Sequence, residues 1–232
     1  MKSTLFFQQR VVWLPKVWLI VVMLLLVTII IAWAFKNLAL YLAVNQPKHA
    51  EYLLVEGWQS EQSLLQALSV FREGGYRLLI TTGGPDNRTI TPKYKSFAEE
   101  SAAFLLAQSI EPDKIVIVSA PASAQNRTFL SAVMVREWFI KQELLPKSID
   151  VFTEGVHARR THALYQLAFG DSVEIGISAS RPENYNLNRW WQTSSGAKSV
   201  ITEVIGVIWV TCCFTPGEHG SHQEKWGVVK NN

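Results

Sequence analysis

The 232-residue chain reads as an α/β protein: a Rossmann-like, doubly wound, mainly parallel sheet of about five strands, preceded by one N-terminal transmembrane helix. Three observations predict this. One long uncharged apolar run lies near the amino terminus. After it, short continuous apolar runs alternate with stretches of helical period. The polar and cationic residues then gather where those short runs end.

The long run is Val17–Phe35 (VWLIVVMLLLVTIIIAWAF), bounded by Lys16 and Lys36. As a helix it crosses about 28 Å, close to the thickness of a bilayer core. A buried core helix of that length would carry a polar stripe, and here Thr28 is the one polar residue. The small-x-small triplet Ala32-Trp33-Ala34 offers a signal-peptide cleavage site, but the run exceeds the roughly 7–15 apolar residues of a signal peptide. An uncleaved anchor is expected.

Lys2, Arg10 and Lys16 precede the run, and no acid occurs before Glu51, so the amino terminus is expected in the cytoplasm and the domain outside it. Those flanks also explain the formal charge of +3. Residues 1–36 hold four of the 22 basic residues and none of the 19 acidic ones, leaving 18 against 19. A domain with that balance has no electrostatic footprint for nucleic acid. The only cysteines, Cys212 and Cys213, are adjacent, a spacing that rarely meets disulfide geometry. No zinc-type Cys/His spacing is present, and no metal is assigned.

The elements follow in order. Residues 51–56 (EYLLVE) form a first strand, and 61–73, apolar at Leu64, Leu65, Leu68 and Phe71, a helix stopped by Gly74-Gly75. Residues 77–82 (RLLITT) are a second strand, closed by Gly83-Gly84-Pro85. A helix spans 96–109, a third strand 114–119 and a long helix 125–144, which Pro146 stops. A strand at 149–153, a helix at 158–169, a strand at 173–177 and a very apolar helix at 195–213 complete the pattern. The expected organisation is a cytoplasmic segment 1–16, a transmembrane helix 17–35, a linker 36–50, an α/β domain 51–214 and a flexible tail 215–232.

Uninterrupted apolar strands separated by helices imply a parallel sheet covered on both faces. Ligands of such sheets bind beyond the carboxyl ends of the strands. Gly83-Gly84 therefore forms either an anion-binding nest or a tight turn. Asn126-Arg127-Thr128 opens the long helix and serves either an anion or simple capping. No dinucleotide or P-loop fingerprint occurs, and no cofactor is assigned.

The stretch FTEGVHARRTHAL (152–164) passes from strand to helix through His157, Arg159 and Arg160. Residues three apart share a helix face, so His157 and Arg160 can address one ligand. Cations at a helix start oppose the dipole, which points to a compensating anion. Arg160 is expected to grip that anion from the surface, without bearing on the fold.

These residues resemble a family, the YdcF/SanA/ElyC-like domain. The resemblance covers roughly residues 51–210 and rests on the Gly-Gly loop, Glu100-Ser101, NRTFLSA (126–132), HARRTHAL (157–164) and NRWWQTSSGAKSVITE (188–203). It implies a single-pass bacterial inner-membrane protein with a Rossmann-like periplasmic domain, linked to envelope integrity, peptidoglycan or lipid-carrier metabolism. By position it implies Gly83, Gly84, Arg127, Thr128 and Arg160 as ligand-binding residues, with His157 and Glu100 in catalytic roles. Glu100 would act as a general base or hold a cation against a phosphate. Two departures stand out: the first strand ends in Glu56-Gly57-Trp58 rather than a glycine run, and the helix opening lacks the family's acid.

Trp190-Trp191 suits a sugar face, a membrane-surface belt or core packing. Three functions follow from the resemblance and the residues together. The first is action on a phosphorylated or lipid-linked glycan precursor, the second is carrier-lipid binding without catalysis, and the third is nucleotide or S-adenosylmethionine binding.

Overall fold

The computed structural model describes residues 15–85, 93–123, 126–144 and 146–216, and the chain divides into two compact units after Asn37. Most of the expected 215–232 tail, the loop at 86–92 and residues 124–125 lie outside the described residues.

In the first unit the apolar run is helical, and every residue from Val17 to Phe35 is exposed. The helix, α1 (Val17–Leu42), is long and apolar enough to cross a membrane. It outlasts the expected end at Phe35 because nothing in Lys36-Asn37-Leu38 breaks a helix. Its last turn, with Ala39 and Leu42 fully buried, belongs to the second unit.

The second unit is the α/β sandwich. Its elements are β1 (Tyr52–Glu56), α2 (Glu61–Gly74), β2 (Leu78–Gly83), α3 (Phe97–Ala107), β3 (Ile115–Ser119), α4 (Arg127–Lys141), β4 (Ser148–Thr153), α5 (Ala158–Phe169), β5 (Glu174–Ala179) and α6 (Ser194–Cys212). The five strands are all parallel, in the order β3-β2-β1-β4-β5. Strand alternation sorts the core into two faces. Leu54, Ile80, Val151 and Ile177 pack beneath α4 and α5, while Leu53, Val55, Leu79 and Phe152 pack against α2 and α3. The order reverses between β1 and β4, which makes the carboxyl ends of these strands the switch point where a crevice opens.

The segment 36–50, expected as a linker, is partly the end of α1 and partly an addition to the sheet. Gln46 bridges to Ile177 in antiparallel sense. Buried Asp150 on β4 then accepts hydrogen bonds from Lys48 N (2.7 Å), Ala50 N (3.1 Å) and the Tyr76 hydroxyl (2.9 Å). Burial, with Asp150's charge beside it, pushes the Tyr76 phenol well above its ordinary range. Asp150→Ala leaves three donors stranded and is expected to lower the unfolding free energy by about 2 kcal/mol. Urea unfolding of the full chain in detergent, followed by circular dichroism, measures this.

Trp190 resolves to core packing: it is 2% exposed, among Ala39, Leu42, Val156 and Val200. The expectation for the cysteines fails. Cys212 and Cys213 are joined in a vicinal disulfide. The helix ends at Cys212 and Cys213 leaves helical backbone, with φ −133°, so helical spacing no longer separates the two side chains. Like α1, α6 has the length and composition to span a membrane, but it lies against the domain through Val200, Glu203 and Val210.

Candidate functional site

A cavity of about 600 Å³ opens at the carboxyl edge of the central strands. Its floor is the end of β1 and β2, with Glu56, Thr82 and Gly83. One wall is the start of α4, with Asn126, Arg127, Thr128 and Ser131; another is α5 and α6, with Arg160, Leu164, Gly206 and Trp209. His157 and Trp58 stand at the side, their rings edge-on with centroids 4.6 Å apart.

Each element has a local reason for its place. Gly83 sits at φ +154°, a conformation L side chains rarely adopt, and a Cβ there would lie 2.9 Å from Phe97 Cβ. That glycine lets β2 run directly beneath α3. Asn126 holds a left-handed conformation (φ 54°) that asparagine tolerates. Its side chain makes no capping hydrogen bond to the start of α4, so capping is not what this residue does. Arg127, exposed, makes no side-chain ion pair or hydrogen bond among the described residues.

His157 and Arg160 do have their anion, and it is internal. Glu203 of α6 lies 2.6 Å from His157 Nδ1 and 2.8 Å from Arg160 Nε, with a second bond of 3.1 Å from Arg160 Nη2. Glu203 thus supplies the charge that the cationic start of α5 lacks. Arg160 Nη2 also sits 2.6 Å from His157 Nε2. Arginine only donates, so Nε2 accepts and the proton is on Nδ1, which donates to Glu203. Burial alone would raise the Glu203 carboxyl. The hydrogen bonds from His157 and Arg160, with the charge of Arg160, outweigh it and hold the group down to about 2.

The expectation that Arg160 acts only at the surface is therefore corrected: its side chain is 22% exposed and tied to a 8%-exposed carboxylate. Gly206 makes the crossing possible, because a Cβ there would lie 2.8 Å from Arg160 Cδ. Gly206→Leu is expected to displace Arg160, fill the cavity and lower the thermal midpoint by several degrees. Differential scanning fluorimetry of the full chain checks it.

Of the residues singled out from the sequence, Gly83, Gly84, Arg127, Thr128, His157 and Arg160 all line the one cavity. Glu100 does not. It lies in the first turn of α3, and the neighbouring Ser101 is the residue turned inward, against the backbone at Gly57. Among the described residues the carboxylate that lines this cavity is Glu56, and Glu203 stands behind it, bound to His157 and Arg160. Glu56, 2% exposed, accepts from the hydroxyls of Thr153 and, at 3.2 Å, Thr161. Its signal in the sequence was an acid ending an apolar strand, where glycines are usual for the resembled family.

Two buried hydroxyls near Glu56 have no hydrogen-bond partner among the described residues: Thr82, which lines the cavity, and Tyr165, which does not. Burial, then the charge of Glu56, raises the Tyr165 phenol well above its ordinary value. It remains protonated. A second recess of about 380 Å³ shares Trp58 and His157 with the first and is lined by Glu203.

No family model matches the chain, and no curated protein matches it.

Proposed function

We propose that this chain is a membrane-anchored domain, facing out of the cytoplasm at a bacterial inner membrane, that binds and acts on a phosphorylated or lipid-linked precursor of the cell envelope. One observation carries the reading. One cavity joins Arg127, which has no ion pair among the described residues, and the start of α4 at Thr128, which Asn126 does not cap, to an apolar wall of Leu164, Trp209 and Val210. The first group suits phosphate oxygens and the second a hydrocarbon tail. The exposed apolar residues of α6, Ile205, Ile208 and Trp209, add surface of the kind a lipid needs. The residues that resemble the YdcF/SanA/ElyC-like domain support the same assignment.

Binding without turnover is a second reading, favoured by one observation. The free nitrogen of His157 already accepts from Arg160. A ligand phosphate must draw Arg160 away before that nitrogen can take a proton. Incubating the full chain in detergent with a long-chain polyprenyl phosphate or its glycosylated form separates the two readings. Product formation that His157→Ala reduces by about 10²–10⁴-fold identifies an enzyme. Saturable binding with no product identifies a carrier module, and neither outcome rejects both.

Topology has its own test. A reporter active only outside the cytoplasm, fused after Asn232, is expected to be active, and the chain is expected to stay with membranes after a high-salt wash. Cytoplasmic-only activity would overturn the envelope assignment.

A further inference from the structure

Glu56 and Thr82 are partners in the parallel register of β1 and β2, so their side chains leave the same face side by side. On the other side of Glu56, β4 supplies Thr153, and α5 supplies Thr161 from above. Both of those hydroxyls go to Oε2. Oε1 accepts no hydrogen bond among the described residues, and the Thr82 hydroxyl has no partner although it is fully buried. The cavity floor thus holds, in Glu56 and Thr82, one acceptor oxygen and one buried hydroxyl without a hydrogen-bond partner among the described residues.

That pair discriminates between ligand groups. A phosphate oxygen brings no proton for Glu56 and would meet its negative charge. An ammonium gives a proton to Glu56 but leaves the Thr82 proton unused. A hydroxyl does both, donating to Oε1 and accepting from Thr82. Removing either half would leave a buried polar group unpaired, which is how such sites reject analogues lacking the hydroxyl.

We propose that Glu56 and Thr82 form a hydroxyl-recognition subsite, so that the ligand is a phosphorylated amphiphile carrying a sugar or polyol rather than a bare lipid phosphate. This rests on the phosphoryl reading above. Arg127 at the start of α4 takes the phosphate, and the strand ends take the hydroxyl. Water is the other source of that hydroxyl, and the test separates the two.

The test compares binding of decyl phosphate and of a decyl glycosyl phosphate to the full chain in detergent by isothermal titration calorimetry. Wild type is expected to bind the glycosylated compound at least 10-fold more tightly. Thr82→Val and Glu56→Gln, both close to isosteric, are expected to remove that preference. Arg127→Ala is expected to weaken both ligands. Equal wild-type affinity for the two compounds would mean that water occupies the subsite, and would overturn this inference while leaving the phosphoryl reading standing. Binding of neither removes both. Because the wild-type comparison decides the matter, a variant that fails to fold does not rescue the proposal.

Discussion

Glu203→Ala is expected to lower the stability of the domain by about 3 kcal/mol, since it strands the Arg160 guanidinium and the His157 Nδ1–H, both about four-fifths buried. The same carboxylate makes stability depend on acid. Its ordinary pKa is 4.5, and in the folded chain it is held at about 2. A group depressed on folding contributes its stability above the unfolded value and loses it as pH falls through the folded one. The contribution is therefore complete above about pH 4.5 and declines from there to about pH 2. The gap between the two values corresponds to roughly 3 kcal/mol. Glu203→Gln keeps the shape and loses the charge, so its acid limb should be flatter than that of wild type. Acid titration followed by circular dichroism, with urea midpoints at pH 7 and pH 4, measures both effects. An unchanged acid limb in Glu203→Gln would show that the carboxylate is not the coupled group.

The two arginines at the cavity should behave differently. Arg127→Ala is expected to weaken a phosphate-type ligand by roughly 10- to 100-fold, because a charge-assisted hydrogen bond is worth about 1.5–3 kcal/mol. It should change stability by no more than about 0.5 kcal/mol, as an exposed residue with no partner among the described residues. Arg160→Ala should weaken the ligand less but destabilise the fold by about 2 kcal/mol, because it abandons Glu203. Paired calorimetric titrations and urea unfolding curves give both quantities. If the two variants exchange these behaviours, the division of labour between the helix starts is wrong.

The difference between the arginines shows what was legible in the chain. Strand and helix order could be read because local patterns caused it: uninterrupted apolar strands such as LLVE and IVIVS, and helical spacing at Leu64, Leu68 and Phe71. The edge on which the site lies followed from parallel topology alone. Arg127, Thr128, His157 and Arg160 could be placed because each opens a helix after a strand. The partner of Arg160 could not. Glu203 is 43 residues away and reaches Arg160 only because α6 folds back with Gly206 clearing its path. Glu56 was hidden for a related reason. An acid at a strand end reads as a solvated terminus until Thr153 and Thr161 are seen to close over it. Glu100 was suggested by the resemblance, while its place in the fold depends on how α3 turns: Ser101 faces inward and Glu100 does not line the cavity.

The central claim is that a phosphorylated amphiphile occupies the cavity between α4 and α6. Photocrosslinking tests it most directly, with a prenyl phosphate carrying a diazirine in its first isoprene unit and the full chain in detergent. Labelled peptides are expected from residues 126–131 and 206–210, with labelling competed by unmodified prenyl phosphate and reduced at least 10-fold in Arg127→Ala. Labelling confined to α1, or left unchanged by competition and by Arg127→Ala, would contradict it.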